Sequence, residues 1–186
     1  MKKNLYHLLF IFSLFFLSKA SAQVDIFIKI TNPNSIIEGE STVKGYEKQI
    51  VATSFAHEEN NCVNCTSTTG GGGVSKAKTS NFVFTMNLNK SIIGLKKALY
   101  SGDHLDKVVI SFVKPNGAGT PTLYYEITLE TVFVANITDA TSGEPNTNEI
   151  QFAAVKYTWK YWQQTGTGTP AQPIQFTWDS STNTGG

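Results

Sequence analysis

Arginine is missing from this sequence: all fifteen basic side chains among its 186 residues are lysines. The planar, two-pronged donor that grips phosphates and base edges is therefore absent. With 14 acidic residues against 15 basic ones there is also no positive excess to neutralise a polyphosphate backbone, so no nucleic-acid partner is expected. Cysteine is nearly missing as well, and Cys62 and Cys65 confine any thiol chemistry to a single C-x-x-C. The only long apolar run is Leu5 to Leu17, shorter than the roughly 20 residues of a permanent helical span, so no stable membrane insertion is expected. Ser111 lacks a Gly-x-Ser-x-Gly setting. Gly70 to Gly73 with Lys76 lack both the phosphate-loop spacing and a following helix. Neither an enzyme nor a cofactor is read from these residues.

What is present begins with an export signature. Met1-Lys2-Lys3 is a positive start, the apolar run follows, and Ala20-Ser21-Ala22 has the small-x-small form that signal peptidase reads. Residues 1–22 are expected to be removed, which places the mature start at Gln23 and the protein in the periplasm or outside the cell; an uncleaved anchor is the alternative. No cysteine follows the run, so lipid attachment is not indicated. Loss of Lys2, Lys3 and Lys19 takes the formal charge from +1 to −2. Residues 23–186 then form a single domain long enough to bury a real core.

The hydrophobic period of that domain changes in one place only, between Asn81 and Lys114. Phe82, Phe84 and Met86 alternate as a strand does, and then Ile92, Leu95 and Leu99 recur at helical spacing. Asn89 or Ser91 caps the start of that helix, Gly102 takes the left-handed position after its last turn, and Lys96 and Lys97 are placed near the negative end of its dipole. Gly94 costs about 1 kcal/mol relative to alanine in such a helix, so packing of the apolar stripe on a sheet must hold it. Alternation returns in VVISFV before the turn at Pro115-Asn116-Gly117. Further strands are read at residues 24–30, 49–57, 123–137, 149–163 and 173–179. Tyr125, Ile127, Leu129, Thr131 and Phe133 are assigned one face of the third of these. The polar, glycine-rich segment 58–80 reads as flexible loop. Many strands, tight turns and one helix indicate a barrel or sandwich.

In order, VDIFIKI, IIEGES, GYEKQIVATSFAHE, TGGGGVSKAKTSNFVFT, NKSIIGLKKALYSGDHLDKVVISFVKP, EITLETVFVANI, IQFAAVKYTWKYW and PIQFTWD resemble the hemolysin-coregulated protein (Hcp) family. Members of that family form the tube of type VI secretion systems. The resemblance covers nearly the whole mature length. It implies a closed antiparallel β-barrel with one short α-helix at its side, six copies in a ring with a central channel, rings stacked into a tube, and secreted effectors as possible passengers. The export signature departs from the family, whose tubes assemble in the cytoplasm without a cleaved signal.

Site chemistry is concentrated in His57-Glu58-Glu59-Asn60-Asn61-Cys62-Val63-Asn64-Cys65. Two cysteines in an exported loop read first as a disulfide. A redox pair would need a nearby cation or helix start, and Glu58 and Glu59 oppose that. A metal site from His57, Cys62 and Cys65 supplies three ligands where structural zinc uses four. On the penultimate strand, Phe152, Ala154, Lys156, Thr158 and Lys160 share one side. Ala153, Val155, Tyr157, Trp159 and Tyr161 share the other, and Tyr157, Trp159 and Tyr161 are the candidate subunit interface. Trp159, Trp162 and Trp178 as a sugar-stacking platform give the alternative reading, an exported surface- or carbohydrate-binding barrel that has lost tube formation.

Overall fold

The computed structural model describes residues 24–32, 36–61, 77–116, 119–141, 146–163 and 172–186. The export signature, Cys62, Cys65 and the Gly70–Gly73 run lie outside these residues. The strands are β1 (Asp25–Thr31), β2 (Ile50–Ala56), β3 (Glu59–Asn60), β4 (Lys78–Thr79), β5 (Phe82–Asn87), β6 (Leu105–Lys114), β7 (Thr122–Ala140), β8 (Thr147–Tyr161), β9 (Ile174–Asp179) and β10 (Thr184–Gly185), with one helix, α1 (Ser91–Ser101), between β5 and β6.

Hydrogen bonding runs β8-β5-β2-β1-β6-β7, and β7 pairs back onto β8, which closes a six-stranded antiparallel barrel. Closure removes the open edges that such strands would otherwise present to other chains. Strand β8 changes neighbour halfway along. Thr147–Phe152 pair with β5, and Lys156–Tyr161 pair with β9. Strands β9 and β10 therefore stand beside the closed ring as an arm.

Alternation fills the interior. Phe82, Phe84, Met86, Ile110, Leu129, Ile150 and Phe152 are fully buried, while their strand neighbours are more exposed. Strand β1 is buried on both faces at its centre. Ile26 and Ile28 enter the barrel core, and the outward Phe27 is covered by Tyr46, stacked on it at 4.6 Å. The covering comes from the connection over residues 36–49, whose backbone closes on itself through Gly39 N–H to the Lys48 carbonyl at 2.8 Å and Ser41 N–H to the Gln49 carbonyl at 3.2 Å.

Helix α1 packs Ile92, Leu95 and Ala98 into the core, with Leu99 against it. Its start is held by two residues outside it. The Asn89 Oδ1 accepts from the Ser91 N–H at 3.0 Å, and the Glu40 carboxylate, fifty residues away in sequence, accepts from the Lys90 N–H at 3.0 Å. Gly102 takes φ 71° and donates its N–H to the Ala98 carbonyl, as the sequence requires. The lysines correct one expectation: no basic residue occupies the last turn. Lys96 instead reaches Asp139 at 2.7 Å, and Asn148 donates to the same carboxylate at 2.6 Å, tying the helix to the β7–β8 hairpin. The residue at Gly94 is set by packing, because a Cβ there would lie 2.8 Å from Cγ1 of Ile37.

Two further expectations are corrected. Within segment 58–80, Glu59–Asn60 pair with Lys78–Thr79 as a short ladder, braced by Glu58 N–H to Ser80 Oγ at 2.9 Å. The single-face assignments on β7 and β8 also fail. On β7, Ile127 and Leu129 point inward, Thr131 takes φ 53°, and then Val132 and Val134 are the buried residues while Thr131 and Phe133 are exposed. On β8, Phe152 and Tyr157 are both buried although their numbers differ in parity. Both strands switch face at the same level, so the register is the same on either side, Glu130 with Lys156 and Val132 with Ala154. The Val155 carbonyl, opposite Thr131, is drawn instead to the N–H and hydroxyl of Ser180. A positive φ at a β-branched residue costs of order 1–3 kcal/mol and has no simple signature in the alternation.

Candidate functional site

The distinctive surface of this molecule is the sheet β6-β7-β8-β9 where it runs past the closed barrel. Its register aligns residues in rows across four strands. One face carries Val108, Leu129, Tyr157 and Trp178; then Ile110, Ile127, Trp159 and Phe176; then Phe112, Tyr125, Tyr161 and Ile174. Each row begins in the core, and the second and third end in solvent. Ile110 and Ile127 are fully buried and Trp159 half-buried, whereas Phe176 is 50% exposed; in the next row Tyr161 is 46% and Ile174 74% exposed. The apolar inner face of the barrel thus continues onto the arm with nothing over it among the described residues. Apolar surface left in water costs about 25 cal/mol per Å², the driving force that a partner covering it would release.

The rings along this surface are stacked in series. Phe82 lies 5.6 Å from Tyr157, Tyr157 5.8 Å from Trp159, and Trp159 5.7 Å from Phe176, at interplanar angles of 28°, 23° and 15°. The three candidate interface residues therefore separate. Tyr157 is 6% exposed and belongs to the chain's own core, with its hydroxyl donating to the Ala154 carbonyl and its pKa raised by burial. Trp159 bridges core and surface, and Tyr161 is open. Phe176 and Ile174 extend the patch and were not singled out from sequence, although the alternation of Ile174, Phe176 and Trp178 carried the signal. Trp178 packs against the core beneath Gly185, where a Cβ would lie 2.9 Å from the indole. Trp162 follows the end of β8, with its N–H on the Tyr124 carbonyl, outside these rows. The three tryptophans do not form one platform.

The opposite face of the same sheet is polar and internally neutralised. Lys107, Glu130, Lys156 and Asp179 form one row of alternating charge, with Glu130 reaching Lys156 at 3.1 Å and Lys107 at 3.8 Å. The next row is Val109, Thr128, Thr158 and Thr177, and the third is Ser111, Glu126, Lys160 and Gln175, with Lys160 3.3 Å from Glu126. Hydrogen bonds from the Ser181 hydroxyl and then from the Thr182 N–H hold the Asp179 carboxyl below the usual aspartate range.

At the other end of the ring stack His57 lies flat on Phe82, with centroids 3.7 Å and planes 9° apart. Among the described residues no group of three or more His, Cys, Asp or Glu side chains is arranged to hold a metal ion. His104 sits beyond the helix exit, 3.9 Å from Asp106. Ser111 lies on β6 opposite Glu126.

A family model described as type VI secretion system effector, Hcp, matches residues 27–161. Among solved structures, one described as a type six secretion system protein superposes with a TM-score of 0.75 at 22% identity, covering 88% of this chain and all of that one. Hcp1 from Salmonella typhimurium gives 0.67 at 22% identity over 89% and 99% of the two chains. A type VI secretion system effector from Yersinia pestis gives 0.63 at 24% identity over 83% and 98%. At these identities the superpositions speak to the fold. No curated relative matches the chain.

Proposed function

The chain belongs to the Hcp family of the type VI secretion system, and from that premise we propose that it is a structural subunit that closes into a six-membered ring whose rings stack into a tube. The observation that carries the proposal is the uncovered row end formed by Tyr161, Ile174 and Phe176. A ring of identical copies needs a face that meets an unlike face on its neighbour and closes. An aromatic patch continuous with the core is the kind of surface that anchors such a contact. In this reading the neutralised Lys107/Glu130/Lys156 face turns toward the channel, where its paired charges favour neither sign of passenger. Effectors are the passengers, and residues 1–22 direct export of the subunit.

Replacing Tyr161 with Asp tests the contact. An unpaired carboxylate buried at each of six equivalent contacts costs several kcal/mol per contact, whereas at this half-exposed position it leaves the barrel core intact. Light scattering after size exclusion is expected to give a folded monomer in place of a ring. A ring that persists places Tyr161 away from the contact. An unfolded chain assigns it to the core.

A second reading rests on the same rings. Trp159 stacked on a half-exposed Phe176 is a surface on which a sugar ring can lie, and an exported barrel that binds carbohydrate without forming tubes would use it. Saturable glycan binding by a monomer favours that reading.

A further inference from the structure

We propose that His57 and Glu59 form a two-donor site for a divalent transition metal ion of the zinc type, completed by water. The two residues are two apart at the start of β3, and the structure brings their side chains together. The His57 side chain is only 7% exposed, yet neither ring nitrogen has a hydrogen-bond partner among the described residues. A buried polar atom without a partner costs about 1–3 kcal/mol, so a ligand that supplies the partner recovers that cost. The Glu59 carboxylate lies beside the imidazole, with Nε2 3.3 Å from Oε1.

That separation is informative. A charge-assisted hydrogen bond between these groups closes to about 2.7–2.9 Å. Two ligands each about 2.0–2.1 Å from a tetrahedral zinc ion stand about 3.3–3.4 Å apart. The 3.3 Å separation matches the edge of a coordination tetrahedron as well as an ion pair. Both donors are also fixed before any ion arrives. The imidazole is clamped flat on Phe82 at 3.7 Å, and the Glu59 backbone is held in the ladder with Thr79. Glu59 is half-exposed and gives the ion a way in, while the imidazole supplies the selectivity of a nitrogen donor over the oxygen-only sites that calcium and magnesium use.

Cobalt(II) is the probe, titrated into the full mature chain and read by visible absorption, because its ligand-field bands report geometry and thiolate coordination adds a strong charge-transfer band. Saturable binding of one ion per chain is expected, at least tenfold weaker in His57→Phe, which keeps the ring stack and removes the nitrogens, and also weaker in the surface variant Glu59→Gln. Cys62→Ser/Cys65→Ser is expected to leave the binding in place. Absence of saturable binding overturns the proposal. So does binding unchanged in both His57→Phe and Glu59→Gln, and so does a thiolate band whose loss in the double cysteine variant abolishes binding.

Discussion

Replacing Gly39 with alanine adds one methyl group at the point where the connection over residues 36–49 crosses β2. A Cβ at Gly39 would lie 2.2 Å from the Gln49 carbonyl oxygen and 2.5 Å from the Ile50 Cα, both backbone atoms that cannot rotate away. The connection must lift. Lifting breaks Gly39 N–H to Lys48 O, Ser41 N–H to Gln49 O and Lys48 N–H to Ser41 O, at about 1 kcal/mol each. It also loosens Ile37, which is 5% exposed and whose burial is worth about 1.5–3 kcal/mol if fully lost. Against this, alanine restricts the unfolded chain and returns about 0.4–1 kcal/mol. The net loss is about 3.5–5.5 kcal/mol if Ile37 is fully released, large for any single substitution. Urea unfolding followed by tryptophan fluorescence should show a lower midpoint at unchanged slope. Gly102→Ala is the control. Gly102 has φ 71° and open space around it, so only backbone strain of about 1–2 kcal/mol is expected. A Gly39→Ala midpoint within error of the parent, or above that of Gly102→Ala, refutes the close approach and with it the account of how β1 is covered.

The Lys96 hydrogen bond, and then that from Asn148, hold the Asp139 carboxyl below the usual aspartate range. A folded pKa depressed in this way gives stability that is present above the unfolded value, near 3.9, and is lost as the pH falls through the folded value. Asp139→Asn should therefore melt below the parent at neutral pH and converge with it in acid; a gap that stays constant in acid contradicts the bond's electrostatic origin. The export signature predicts that N-terminal sequencing of secreted or periplasmic protein begins at Gln23, and a start at Met1 refutes cleavage.

Strands that alternate cleanly were legible from sequence because one face of each meets the core: Phe82, Phe84 and Met86 mark β5, and Ile92 and Leu95 mark the buried stripe of α1. Gly102 was legible because few other residues accept its φ. What failed were features set by distant parts of the chain. Glu40 caps a helix fifty residues away, and no local spacing announces it. Lys96 looked like a dipole partner but is engaged by Asp139 on another element. The face switch at Thr131 and Val155 depends on a positive φ in one strand and on Ser180 beside the other, and parity counting carries the wrong face past it. Beyond the switch Tyr157, Trp159 and Tyr161 do share one face, as alternation reads them, but alternation does not show that they span the passage from core to solvent.

On the proposed function, this barrel assembles through its uncovered aromatic arm. Native mass spectrometry of the mature chain, with negative-stain images of the same preparation, tests it most directly. A mass of six subunits and ring-shaped particles with a central hole are predicted. A monomer that persists at high concentration, with no rings in the images, would contradict it.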